Sequence, residues 1–225
     1  MNAMTEIMES LSRKRPIFHS EADFQHVLAL EMAYSDNFCR LRLEKRFSLP
    51  LGDEEKEIYM DIFAYLITPD EKLVRAGVEL KYLTINFEME INGEVYRLKN
   101  QSAQDQRRYD FLLDIVRLER LIERGDIDVG YAILLTNDRS YWKEPQKRSK
   151  IPNDWDFRIH ENRKIEKGTI LKWGEETGKN TKKGREDSLR FQGSYTFQWK
   201  DYKKFIGQKN GEFRFLLVEI KPPNS

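Results

Sequence analysis

Cysteine is almost absent from this 225-residue chain: Cys39 stands alone. One thiol excludes an internal disulfide framework and any cysteine-based zinc cluster. Its apolar-rich surroundings read as those of a buried, inert side chain. Histidine is scarce too, and His19, His26 and His160 lack the spacing of a metal-ligand set. No apolar run approaches the length of a bilayer span and no secretory signal is evident, so the expectation is no membrane association and a reducing, cytoplasmic setting. A surplus of one charge is also missing. Charged residues make up 34% of the chain, yet the formal net charge is +1. A polyanion-binding field over the whole surface is thereby excluded, and a nucleic acid would have to be held by local basic patches.

What is present is the patterning of one sizeable domain. Residues 1–19 read as a loose, flexible polar lead-in with a basic cluster at Arg13, Lys14 and Arg15. Ser20 is a good N-cap with Asp23 three residues on, and Phe24, Val27, Leu28, Leu30 and Ala33 give a helical stripe to about residue 34. Residues 38–47 alternate as a strand. Residues 57–67 are apolar at both parities, the mark of a central strand covered on both faces. After turn chemistry at 68–72, residues 73–82 return as a strand, and Asn92-Gly93 signals a further hairpin. Ser102-Ala103-Gln104-Asp105 reads as a capping box for a helix to about residue 123, stopped by Gly125. Residues 129–135 form another buried strand. From 139 to 190 aromatics thin out and bases outnumber acids, with 174–187 polar enough for a mobile loop. Structure resumes at 193–205 and ends on an apolar strand at 213–220. The expected fold class is α/β: a mixed β-sheet flanked by helices, with a core over residues 20–136 and a variable extension, 137–225, packed on the same domain.

Asp61 is the anomaly, a carboxylate midway along a strand otherwise apolar on both faces. A buried, uncompensated charge costs several kcal/mol. If strands 57–67 and 73–82 pair as a hairpin centred on Asp70, position 61 falls opposite 79, with Cβ atoms roughly 5 Å apart. Glu79 and Lys81, two apart, share a strand face. Two facing carboxylates raise each other's pKa unless a cation lies between them, and a hard divalent ion such as Mg²⁺ meets that need. The plainer alternatives are that Asp61 is a satisfied structural carboxylate, with Arg40 or Arg42 on a neighbouring strand as candidate partners, and that Arg75, Glu79 and Lys81 form an exposed strand face.

Asp61, followed after a turn by Val78-Glu79-Leu80-Lys81-Tyr82, resembles the PD-(D/E)XK nuclease superfamily, the restriction-endonuclease-like fold. The resemblance covers roughly residues 20–136 and includes the element order helix, three strands, helix, strand. It implies a metal-dependent nuclease that hydrolyses phosphodiester bonds, DNA being the expected substrate. Asp61 and Glu79 would bind Mg²⁺, or alternatively Mn²⁺, and Lys81 would assist the attacking water or stabilise the phosphate. It further implies a supporting glutamate from the first helix, for which Glu31 is preferred to Glu21, and a polar support from Gln101 or Gln104. Cutting both strands of a duplex from one centre per chain would favour a homodimer. Two features depart from the pattern or imitate it. Met60, not proline, precedes Asp61, and the literal Pro69-Asp70 has the composition of the connecting turn. A second triplet, Glu219-Ile220-Lys221, lies just before Pro222-Pro223 with no matching helix after it.

Nucleic-acid contacts are sought in basic clusters. Arg107, Arg108, Arg117 and Arg120 lie on the long helix with Asp110, Asp114 and Glu119, and either line a groove or form a solvated face with local ion pairs. Lys143, Lys147, Arg148 and Lys150 lie near Tyr141 and Trp142, aromatics that could stack bases. Lys179, Lys182, Lys183 and Arg185 could close over substrate, although a disordered surface loop is the simpler expectation. The rival to an enzyme is a non-catalytic nuclease-fold domain that binds nucleic acid or a protein. Retention of all three core residues favours the enzyme.

Overall fold

The computed structural model describes residues 3–51, 54–145 and 151–222. The chain opens with α1 (Ala3–Lys14) and α2 (Glu21–Ala33), then the long hairpin β1 (Phe38–Leu51) and β2 (Glu54–Ile67). β3 (Leu73–Leu83), the small hairpin β4 (Phe87–Ile91) and β5 (Glu94–Leu98), α3 (Gln104–Glu123) and β6 (Val129–Thr136) follow. A short 3-10 turn at Trp155–Phe157 precedes two ribbons, in which β7 (Lys164–Ile165) pairs with β10 (Tyr195–Thr196) and β8 (Ile170–Leu171) with β9 (Leu189–Arg190). A single helical turn, α4 (Lys179–Lys182), lies between β8 and β9. β11 (Trp199–Lys204) and β12 (Glu212–Ile220) close the chain order.

Six strands form one mixed sheet in the order β1-β2-β3-β6-β12-β11. Only the β3–β6 pair is parallel, and α3 provides the crossover that a parallel pair requires. The fold class is thus the expected α/β with a mixed sheet. β12 inserts beside β6 and carries β11 to the far edge, so the C-terminal extension supplies two of the six strands. Central strands are apolar at both parities because both faces are covered. One face packs on α1 and α2 through Met8, Phe18, Phe24, Leu28, Val78, Leu80 and Tyr82. The other packs on α3 and the 137–199 segment through Leu112, Ile115, Leu118, Tyr141, Phe157, Phe191 and Trp199.

Local signals explain most boundaries. Ser20 caps α2 as its chemistry dictates: its Oγ accepts the Asp23 N–H at 3.1 Å, and the Asp23 carboxylate accepts the His19 N–H at 2.9 Å. Asn92 and Gly93 take the left-handed conformation that a two-residue hairpin turn demands, at φ 52° and 82°.

Four expectations need correction. Residues 3–14 are not a loose lead-in but a helix, because Met4, Ile7, Met8 and Leu11 recur at helical spacing and are buried. The start of α3 is not a capping box: Ala103 is left-handed at φ 66°, no side chain caps the helix, and the Asp105 carboxylate accepts the Gln106 N–H. Residues 174–187 are tied down by hydrogen bonds to α3 rather than loose. Cys39, expected to be buried, is partly exposed.

Candidate active site

The site forms where the β2–β3 ladder ends. The two strands pair from Ile67 opposite Leu73 to Ile62 opposite Val78. Continued by one residue, this register places Asp61 opposite Glu79, as the turn chemistry at 68–72 predicts. Beyond that point β2 leaves β3. Backbone donors of a strand alternate in direction, so those of Leu80 and Tyr82 point toward the departed β2. Carboxylates satisfy them instead: Asp61 Oδ2 accepts the Leu80 N–H at 2.7 Å, and Glu21 Oε2 accepts the Tyr82 N–H at 2.8 Å. Two acids therefore line the opened edge of β3.

Packing holds β2 in this position. Met60 is fully buried on the α3 side, whereas Ile62 and Ala64 join the cluster on the α2 side. The Met60 thioether lies so close to Gly77 that a Cβ there would meet its terminal carbon at 3.0 Å. From the other side, Gln25 on α2 donates to the Asp61 carbonyl at 2.8 Å and to the Glu44 carboxylate at 2.6 Å.

Asp61 is satisfied by the Leu80 N–H rather than by an arginine, and Glu79 and Lys81 do not form an exposed face. Arg40 lies over the Tyr65 ring and Arg42 bonds the Leu41 carbonyl, so neither partners Asp61. Glu79 is only 5% exposed, and the Lys81 side chain 19%. The partner of Lys81 comes from α3: its Nζ lies 2.9 Å from Asp114 Oδ2, and Asp114 Oδ1 accepts from Arg117 at 3.2 Å. Asp114 is itself 2% exposed, in contrast to the solvated face expected for that helix. The signal was present in the sequence, since Asp114 interrupts an apolar run, Leu112, Leu113, Ile115 and Val116, much as Asp61 interrupts its strand.

Two buried acids, Glu79 and Asp114, and the partly buried Asp61 around one lysine cannot all ionise cheaply. Burial pushes the Asp61 carboxyl up to about 6, moderated by the Leu80 N–H and by Lys81. Glu79 is displaced well upward by burial, then by the negative charges of Asp114 and Asp61. The two carboxyls therefore stand above their ordinary range together, Glu79 chiefly through its burial. Burial alone would lower Lys81, but Asp114, Glu79 and Asp61 outweigh it and hold the ammonium above its ordinary range. Lys81 is thus a fixed cation.

The other candidates fall elsewhere. Glu31 faces α1, where it accepts from Ser10 at 2.7 Å and pairs with Lys14 at 2.6 Å, so Glu21 and not Glu31 is the α2 glutamate beside the triad. Gln101 bonds the Thr84 carbonyl through its backbone, and the Gln104 side chain reaches Asp138 at 3.3 Å. Neither of these bonds reaches Asp61, Glu79 or Lys81. Arg107 is exposed on α3. Arg108 is not a surface residue: it is 3% exposed, paired with Asp154 at 2.9 Å and bonded to the Ser140 carbonyl. Glu119 is likewise structural, accepting from the backbones of Gln192 and Gly193 and from the Tyr195 hydroxyl. Tyr141 and Trp142 are buried and cannot stack bases. Lys147, Arg148 and Lys150 lie outside the described residues. Glu219 pairs with Lys221 at 3.1 Å on β12, away from the site.

No family model, curated protein or solved structure matches this chain. Among the described residues no helix is long and apolar enough to cross a membrane, and no group of three or more His, Cys, Asp or Glu is arranged to hold a metal ion.

Proposed function

We propose that this chain is a metal-dependent nuclease of the PD-(D/E)XK type with a restriction-endonuclease-like core, hydrolysing nucleic-acid phosphodiester bonds, DNA foremost, in the cytoplasm. The observation that carries the proposal is the convergence of Asp61, Glu79 and Lys81 where β2 parts from β3. Carboxylates raised by burial and by the negative charge of Asp114 would be relieved by a hard cation.

The donors fit Mg²⁺, or Mn²⁺ in its place. They are oxygens only, and Mg²⁺ characteristically takes one or two carboxylates, keeps waters and completes its shell on a substrate phosphate. Asp61 and Glu79 would hold it, with Glu21 a further carboxylate along the β3 edge. When bound, the ion would polarise the phosphoryl oxygen and make a coordinated water more acidic. The Leu80 N–H, which donates to Asp61 Oδ2, would keep that carboxylate in place beside the ion. Lys81, held cationic by Asp114, would stabilise negative charge on the phosphoryl oxygens rather than act as the base.

Calorimetric titration of Mg²⁺ and Mn²⁺ tests the site directly. Binding by wild type that disappears in Asp61→Ala is the expected result. An unchanged metal response in that variant would leave the acids as a structural cluster. Binding of nucleic acid without cleavage would point to the non-catalytic rival. Cleavage of both strands of a duplex would call for a homodimer, visible by sedimentation.

A further inference from the structure

Residues 174–187 lie as a strap along the N-terminal half of α3. The Gln106 side chain donates to the Thr181 carbonyl at 3.0 Å, and Arg185 clasps Asp110 through two bonds of 2.7 and 2.8 Å. The Tyr109 hydroxyl donates to the Asp187 carbonyl at 3.0 Å, and the Trp173 indole to the Arg185 carbonyl at 2.8 Å. Gly184, at φ +74°, makes the turn that brings Arg185 inward. Arg185 is therefore an anchor and is not available to a ligand.

Gln106, Asp110, Asp114 and Arg117 succeed one another at spacings of four, four and three, so they share one face of α3. The strap thus grips the same helix face that pairs with Lys81 two turns further on. At 1.5 Å per residue, the level of Gln106 lies about 12 Å from that of Asp114. Around the Thr181 anchor the strap forms α4 and presents Lys179, Lys182 and Lys183, the first and last exposed. Among the described residues none of the three enters an ion pair. The acids of the strap, Glu175, Glu176, Glu186 and Asp187, lie on either side of these lysines in sequence, so the positive charge is concentrated at 179–183, where a row of phosphates is attracted. Because the chain has a net charge of only +1, such attraction must be local.

We propose that this strap is a docking site for the phosphodiester backbone of a nucleic-acid strand, delivering it along α3 to Asp61 and Glu79. The delivery rests on the nuclease reading of the centre, whereas the phosphate-binding chemistry of the strap does not. The test uses the full chain in EDTA, where no cutting occurs, with fluorescein-labelled single-stranded and duplex DNA and RNA oligonucleotides titrated across a salt series. The variant combines Lys179→Ala, Lys182→Ala and Lys183→Ala, with the three Lys→Arg changes as a charge-retaining control and the thermal midpoint as a check on folding. Affinity should fall by about tenfold or more at low salt, and the salt slope by about 2 for a single strand or about 2.7 for duplex if three phosphates are released. The arginine variant should bind as wild type does. Unchanged affinity and slope in the alanine variant, or no binding by wild type to any of the oligonucleotides, would overturn the strap proposal. If wild type binds through these lysines yet never cuts when Mg²⁺ is added, the strap stands and the nuclease reading fails; cutting with an unaffected salt slope is the reverse.

Discussion

Replacing Asp61 with asparagine should make the metal-free protein more stable at neutral and alkaline pH. Burial raises the Asp61 pKa from 3.8 to about 6. For an acid raised in the folded state, the sign is a penalty: it is fully present above about pH 6, shrinks as pH falls, and is gone once the unfolded-state value of 3.8 is passed. Each unit is worth about 1.4 kcal/mol, so the whole displacement corresponds to at most about 3 kcal/mol. Asparagine keeps an acceptor for the Leu80 N–H but a weaker one, which lowers the expected net gain to about 1–2 kcal/mol. In a domain of this size that is a rise in Tm of roughly 2–8 °C. The assay is thermal unfolding of wild type and Asp61→Asn in EDTA at pH 8 and again near pH 4. The gap should be present at pH 8 and nearly closed at pH 4, where the wild-type carboxyl is also protonated. Adding Mg²⁺ at pH 8 should raise wild type alone, by mass action on the folded state. An asparagine variant no more stable than wild type at pH 8, or a gap indifferent to pH, would refute the reasoning.

Asp114→Asn removes the carboxylate that keeps Lys81 protonated and leaves Arg117 without its partner. The expected cost is about 3 kcal/mol in stability, and the alkaline limb of the cleavage pH profile should move to lower pH as Lys81 loses its proton more readily. A profile unchanged on the alkaline side would make Asp114 merely structural. Arg108→Met breaks the buried Arg108–Asp154 pair while Arg158 keeps its bond to Asp154 at 2.9 Å, so a loss near 3 kcal/mol is again expected. The salt slope of nucleic-acid binding should not change in that variant, whereas a reduced slope would return Arg108 to the binding surface.

The acidic pair was legible because two independent signals agreed. Turn residues at 68–72 specified the hairpin register, and Asp61 broke a strand apolar at both parities. Helix α2 and its cap were legible from Ser20 and the stripe that follows it. The choice between Glu21 and Glu31 was not, because it depends on where β2 departs from β3 and on α1 docking over Glu31. Arginines 107 and 108 look alike in sequence, but one is exposed and the other buried against Asp154, a partner 46 residues away that only the fold supplies. α1 shows apolar residues at helical spacing, yet so short a polar segment is helical only because tertiary packing buries that stripe. The strap looked like a solvated loop by composition; its order comes from Asp110 and Gln106 on a distant helix.

The central claim, a nuclease centre built on Asp61, Glu79 and Lys81, is tested most directly by cleavage. Labelled duplex, single-stranded and branched DNA, with RNA in parallel, would be incubated with wild type or Lys81→Ala in Mg²⁺, Mn²⁺ or EDTA. The account predicts metal-dependent cutting by wild type, abolished by EDTA and lost in Lys81→Ala. Equal cutting by the variant, or no cutting of any of these substrates by wild type in either metal, would contradict it.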